Sequence, residues 1–142
     1  MNSNHCIREL MNLMMSTYSI IVVEHYMILM MLEEASKGAN LQDQLINVLR
    51  DHLDKEIRVM KNIDELRQCL DNDTIILIED FLSNVTEGSS LTNDPEFLSN
   101  YIHDFTGTLK PLIRYMLTHE ELFWKFINRL REVISSKMRF YI

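Results

Sequence analysis

The chain has 142 residues and a mass of 16.9 kDa, is 46% hydrophobic and 25% charged, and holds three glycines and two prolines. Such a composition excludes collagen-like, low-complexity and broadly disordered classes, and the length suits a single domain over residues 1–142 that buries roughly two-thirds of its unfolded surface. With 14 basic against 21 acidic residues the net charge is −7, which disfavours a broad attraction to nucleic acid or anionic lipid.

Punctuation along the chain separates helical periodicity throughout, with neither internal repeats nor a persistent period-two pattern, so the expected fold is all-α. The first helix is expected from about Asn4 to Ser36, closed by Lys37 and by Gly38, which tolerates positive φ. Its stretch from Leu10 to Leu32 is apolar, but Asn12, Ser16, Ser19, Glu24 and His25 interrupt it, so it reads as a buried helix and not as a membrane span. Apolar residues cover more than half of its cylinder, Met15, Val22 and Val23 included, so it should be central or covered by a second copy of the chain in a homodimer. The methionines at 11, 14, 15, 27, 30 and 31 are expected mostly to fill the core, although a Met-rich surface also suits partner binding. Cys6 and Cys69 are too few and too far apart in sequence to read as a disulfide framework, and a reducing, cytoplasmic setting is the default.

A second helix is expected from about Leu41 to Leu70. Asp71, Asn72 and Asp73 then cap a shorter third helix, Thr74 to Val85, and a loop follows from Glu87 to Asp94. Asp94 before Pro95 marks the start of a short fourth helix ending near Gly107, and Thr108 caps a long last one reaching about Ser136, with Pro111 in its first turn. Three long and two short helices with brief connections predict an antiparallel bundle of four to five helices.

Polar residues on apolar faces point to a site. In the second helix Leu45, Leu49, His52, Glu56, Val59, Ile63, Leu66 and Leu70 alternate four and three apart, the spacing of interior positions. A carboxylate in that seam costs several kcal/mol unless it is paired, protonated or bound to a cation. His119 and Glu120 fall within the apolar face of the last helix, and Glu24 and His25 flank the apolar centre of the first. His25, His52 and His119 should lie level, each roughly 16 Å from one end of the bundle at about 1.5 Å per residue. Glu56, one turn beyond His52, can reach the same ion. The third helix supplies no such residue, and His103 projects away from its helix's apolar face. Each interior His also has an ordinary reading as a neutral imidazole satisfied by a carbonyl, a Tyr or a water, and Glu56 or Glu120 as the partner of Arg67, Arg131 or a His.

The segments Val23-Glu24-His25-Tyr26 through Glu34, Leu49-Arg50-Asp51-His52-Leu53-Asp54-Lys55-Glu56, and His119-Glu120-Glu121-Leu122 onward resemble helices of the hemerythrin-like, or HHE cation-binding, domains. The resemblance implies a helical bundle with His25, His52, Glu56, His119 and also Glu120 as metal ligands. It implies oxygen or small-ligand binding, redox sensing or metal storage. The family's third-helix His-x-x-x-His is missing, so the set suits one ion better than an oxygen-bridged di-iron centre. Imidazole with carboxylate and no nearby thiolate favours iron, manganese or zinc. Two other classes stand beside this one. Arg114 and His119 fit the Arg-x4-His spacing of HEPN-type ribonucleases, in which Arg114 would hold a phosphate and His119 act as acid or base, supported by a basic strip of Arg129, Arg131, Lys137 and Arg139. A non-catalytic adaptor would instead hold a partner helix in an apolar groove or pair with itself.

Overall fold

The computed structural model describes residues 3–61 and 63–138, which places Arg139 outside the described residues. The described elements are all helical: α1 (Ser3–Thr17), a π-helical turn (Tyr18–Val22), α2 (Val23–Ser36), α3 (Gln42–Met60), a 3-10 segment (Ile63–Cys69), α4 (Asn72–Thr92), α5 (Pro95–His103) and α6 (Phe105–Met138). Helix α6 packs against α1, α2, α4 and α5, while α3 packs against α2 and α4. One apolar core runs between them, with Phe81, Phe123, Phe126, Leu10, Ile21, Ile28, Leu45, Leu49 and Leu53 all fully buried. No helix among the described residues is long and apolar enough to cross a membrane.

Several ends follow the local chemistry of the sequence. Gly38 closes α2 with φ of 100°, a conformation that costs glycine little. Asp71 caps α4 by accepting from the Thr74 backbone N–H at 2.8 Å, and Asp94 caps α5 by accepting from the Phe97 N–H at 3.0 Å, with Pro95 in the first turn.

Other ends differ from the sequence reading. The expected helix over 41–70 is two pieces: α3 stops at Met60, and a 3-10 segment brings Ile63, Leu66 and Cys69, three apart, onto one buried face. Asn62, between them, lies outside the described residues. Met60 and Cys69 therefore take the interior places assigned to Val59 and Leu70, which are only half-buried. The expected loop from Glu87 to Asp94 is helical as far as Thr92. There packing overrides weak propensity: Gly88 admits the Tyr115 ring, whose hydroxyl would lie 2.0 Å from a Cβ at that position, and the Thr92 hydroxyl donates to the Gly88 carbonyl at 2.9 Å. The third helix is thus longer than α3, not short. Helix α5 ends at His103, and α6 starts at Phe105 because the Asp104 carboxylate, not Thr108, accepts from the Gly107 N–H at 3.2 Å.

The two cysteines are joined: Cys6 and Cys69, 63 residues apart, form a disulfide between α1 and the 3-10 segment with Cα atoms 5.4 Å apart. Sequence distance was a poor guide, since the fold lays α1 against this segment, and the bond removes the ground on which a reducing compartment was expected. The methionines of the first helix also depart from expectation. Met11, Met15, Met27 and Met30 are exposed, and Met14 and Met31 are only partly covered.

Candidate metal centre

Four side chains from three helices converge in the core. The inward residues of α1 and α2 are Cys6, Leu10, Leu13, Thr17, Ile21, His25, Ile28, Leu32 and Ala35. From Leu13 to His25 they step by four three times in succession, which would drift about 120° around a regular α-helix. The π turn at Tyr18–Val22 takes up that drift and delivers His25 to the interior. His52 and Glu56 come from one face of α3, a turn apart, and His119 comes from the middle of α6. His25 is 3% exposed and the other three are fully buried.

The ring centroids of His25 lie 4.6 Å from His52 and 4.8 Å from His119, and those of His52 and His119 are 6.1 Å apart. Glu56 sits among them. Its carboxylate lies 2.7 Å from His52 Nε2, 2.8 and 2.9 Å from His119 Nε2, and 3.6 Å from His25 Nε2. One ligand atom from each of the four can be chosen so that all lie within 4.8 Å of one another. The group could hold a metal ion. Phe123 packs edge-on against His25, while Phe81 and Tyr115 lie against His119, making the walls apolar and aromatic.

The far sides of two rings are anchored. His52 Nδ1 is 3.0 Å from Glu24 Oε1, and the other Glu24 oxygen accepts from Lys55 at 2.8 Å. Burial would raise the Glu24 carboxyl, but Lys55 and His52 hold it below its ordinary value, so it is ionised and can only accept. His52 Nδ1 is therefore the donor. His119 Nδ1 lies 2.6 Å from Asn84 Oδ1, and the Tyr115 hydroxyl donates to the Asn84 backbone carbonyl at 2.8 Å. Anchoring of this kind sets the tautomer. With Nδ1 donating outward, each neutral ring turns a bare Nε2 toward the Glu56 carboxylate, acceptor against acceptor. At such separations that arrangement requires a cation between them, either a proton or a metal ion.

The electrostatics follow from this geometry. Burial would raise the Glu56 carboxyl, yet His119, His25 and His52 hold it well below the usual carboxylate range. Burial would lower His52, but Glu56 and Glu24 hold it above its ordinary value. Burial dominates at His25 and drives it down to about 4. Neither nitrogen of His25 has a hydrogen-bond partner, and His52 Nε2, although close to Glu56, is misaligned for one. Buried imidazole nitrogens left this way cost about 1–3 kcal/mol each.

No family model, curated protein or solved structure matches this chain.

Of the five residues singled out in the sequence, the fold gathers His25, His52, Glu56 and His119. Glu120, the neighbour of His119, is half-buried and lies outside the group. The alternative partners of Glu56 are occupied elsewhere: Arg67 pairs with Asp64 and Glu79, and Arg131 donates to the Tyr18 hydroxyl. His103 is exposed, as its projection implies. The sequence reading missed Asn84, having assigned nothing to the third helix. The signal was present, since Asn84 stands between Phe81 and Val85 on the buried face of α4, a polar residue in an apolar stripe. Glu24 was noticed, but its hold on His52 depends on how α2 and α3 meet and leaves no trace in spacing.

Proposed function

We propose that this chain is a metal-binding helical protein of the hemerythrin-like kind, an antiparallel bundle of four to five helices in which His25, His52, Glu56 and His119 bind iron, manganese or zinc. The observation that carries the reading is the convergence of these four buried groups within 4.8 Å, with the far nitrogens of His52 and His119 anchored and both His25 nitrogens and His52 Nε2 without a hydrogen-bond partner. A core that needed only apolar packing would contain none of them. The test is thermal unfolding with and without added metal. A ligand present at 100 times its dissociation constant stabilises by about 2.7 kcal/mol, or roughly 5–10 °C for a chain of this size. The parent protein should show a rise of that order with at least one of the three ions, and His119→Gln should abolish it. A transition indifferent to all three counts against the proposal.

A second reading rests on a different surface. Met11, Met15, Val23, Tyr26, Met27 and Met30 lie exposed along α1 and α2, with Met15, Val23 and Tyr26 each more than 60% exposed. An apolar stripe of this kind suits pairing with a second copy of the chain, or with a partner helix. The two readings are compatible, because the stripe faces away from the buried cluster. The ribonuclease reading has no such support: Arg114 is exposed while His119 is fully buried between Asn84 and Glu56, so the two offer no common surface to a phosphate.

A further inference from the structure

We infer that the centre takes one divalent ion in a closed, four-coordinate site of three imidazoles and one carboxylate, a zinc-type structural site and not a ligand-binding di-iron centre. The inference rests on the metal-binding reading above and specifies it through ligand supply, charge and access.

Ligand supply comes first. Four ligand atoms at about 2.1 Å from one ion in a tetrahedron lie about 3.4 Å apart, and the four groups here already fall within 4.8 Å of one another. A second ion would need its own set. Glu24, a further carboxylate in contact with the group, is committed on the outer side of His52, with one oxygen on Nδ1 and the other on Lys55. Asn84 is likewise on the outer side of His119. Among the described residues the four form the one grouping of His, Cys, Asp and Glu that could hold an ion.

Charge leads to the same count. Three neutral imidazoles and the Glu56 carboxylate sum to −1, and a divalent ion brings the centre to +1. Glu24, held to the centre through His52, Lys55 on its other oxygen and Asp51 on Lys55 together sum to −1 and return the assembly to neutrality, which burial favours. A second divalent ion would leave two further positive charges buried with nothing opposite them.

Access decides between a structural and a reactive role. An open site keeps a ligand position for water or substrate, whereas a structural zinc site fills all four with protein. Here Phe81, Phe123 and Tyr115 pack against the imidazoles. The surface cavity between Ser19, Val23, Glu24, Lys55, Arg58 and Val59 reaches Glu24 but none of the four ligands. A filled tetrahedron behind aromatic walls has no position for oxygen, and its effect is to tie α2, α3 and α6 together.

Cobalt(II) is the probe, because it substitutes for zinc and its visible absorption is strong in a tetrahedron and weak in an octahedron. Protein stripped of metal is titrated with cobalt(II), then challenged with azide, and separately with zinc. The expected result is an end point at about one equivalent, intense tetrahedral bands, no change on adding azide, and loss of the bands when zinc displaces cobalt. An end point at two equivalents, weak octahedral bands, or a spectrum that shifts with azide overturns the closed single-ion site while leaving metal binding intact. Absence of uptake of both cobalt and zinc, on a chain whose far-ultraviolet spectrum shows it folded, overturns this inference; if iron and manganese are also refused, the metal-binding reading falls with it.

Discussion

His25 is the residue on which the cost of the buried cluster falls most heavily, since neither of its ring nitrogens has a partner and burial drives it down from 6.5 to about 4. The sign of its effect on stability follows by linkage. Below pH 6.5 the unfolded chain takes up a proton that the folded chain refuses, so metal-free protein loses stability as the pH falls from 6.5 toward 4, a loss on the order of 3 kcal/mol. His52 has the opposite shift; its contribution is fully present below the ordinary His value and is lost as pH rises, so it does not offset the acid loss. Glu56, held low, adds a further loss at still lower pH. Urea titrations of metal-free protein between pH 7 and 4 should show this decline, and His25→Gln should flatten it. An equally steep decline in the variant would place the acid sensitivity elsewhere. At this scale the sequence was informative wherever a polar residue interrupted an apolar stripe. That rule located His25, His52, Glu56 and His119, and it applies equally to Asn84, which stands between Phe81 and Val85 on the buried face of α4. It could not reveal which nitrogen faces which carboxylate, because that depends on the meeting of separate helices.

At the scale of the element, the π turn explains a feature of the sequence that periodicity alone left unresolved. The inward positions of the first helix are spaced four, three, four, four, four, three, four, three from Cys6 to Ala35. Removing one residue from the π turn would restore strict alternation of four and three, the spacing of a regular helix against a core. The turn is thus equivalent to a one-residue insertion, and the buried residues follow one stripe before it and a shifted continuation of that stripe after it. Deletion of Ser19, which is exposed, should convert the turn to regular α-helix and leave His25 facing inward, with thermal stability and metal binding retained. Loss of the fold in this variant, read by circular dichroism, would show that the π turn is required and not merely accommodated. The other misjudged boundaries have related causes. Asp104 displaces Thr108 as the cap of α6 through a local contact, whereas α4 continues through Gly88 only because Tyr115 from α6 packs there, a tertiary effect that no window of sequence contains.

For the molecule as a whole, an all-helical fold was legible because helical periodicity is dense and strands would have needed alternation that is absent. The Cys6–Cys69 disulfide was not legible, since two cysteines 63 residues apart carry no pairing signal until the fold sets α1 beside the 3-10 segment. Two features then define the molecule, an inner cluster of three imidazoles and a carboxylate and an outer apolar stripe. If the stripe pairs two copies of the chain, sedimentation of the parent protein should give a dimer, and Met15→Glu with Tyr26→Lys should give a folded monomer, since both positions are exposed in the single chain. A monomeric parent would dismiss the pairing without touching the cluster, because its four side chains all come from one chain. The cluster itself is tested most directly by elemental analysis of protein purified without a chelating tag or chelating buffer. Close to one equivalent of a transition metal per chain, lost in Glu56→Gln, is the expected result; less than about a tenth of an equivalent, unchanged after incubation with iron, manganese or zinc, would contradict it.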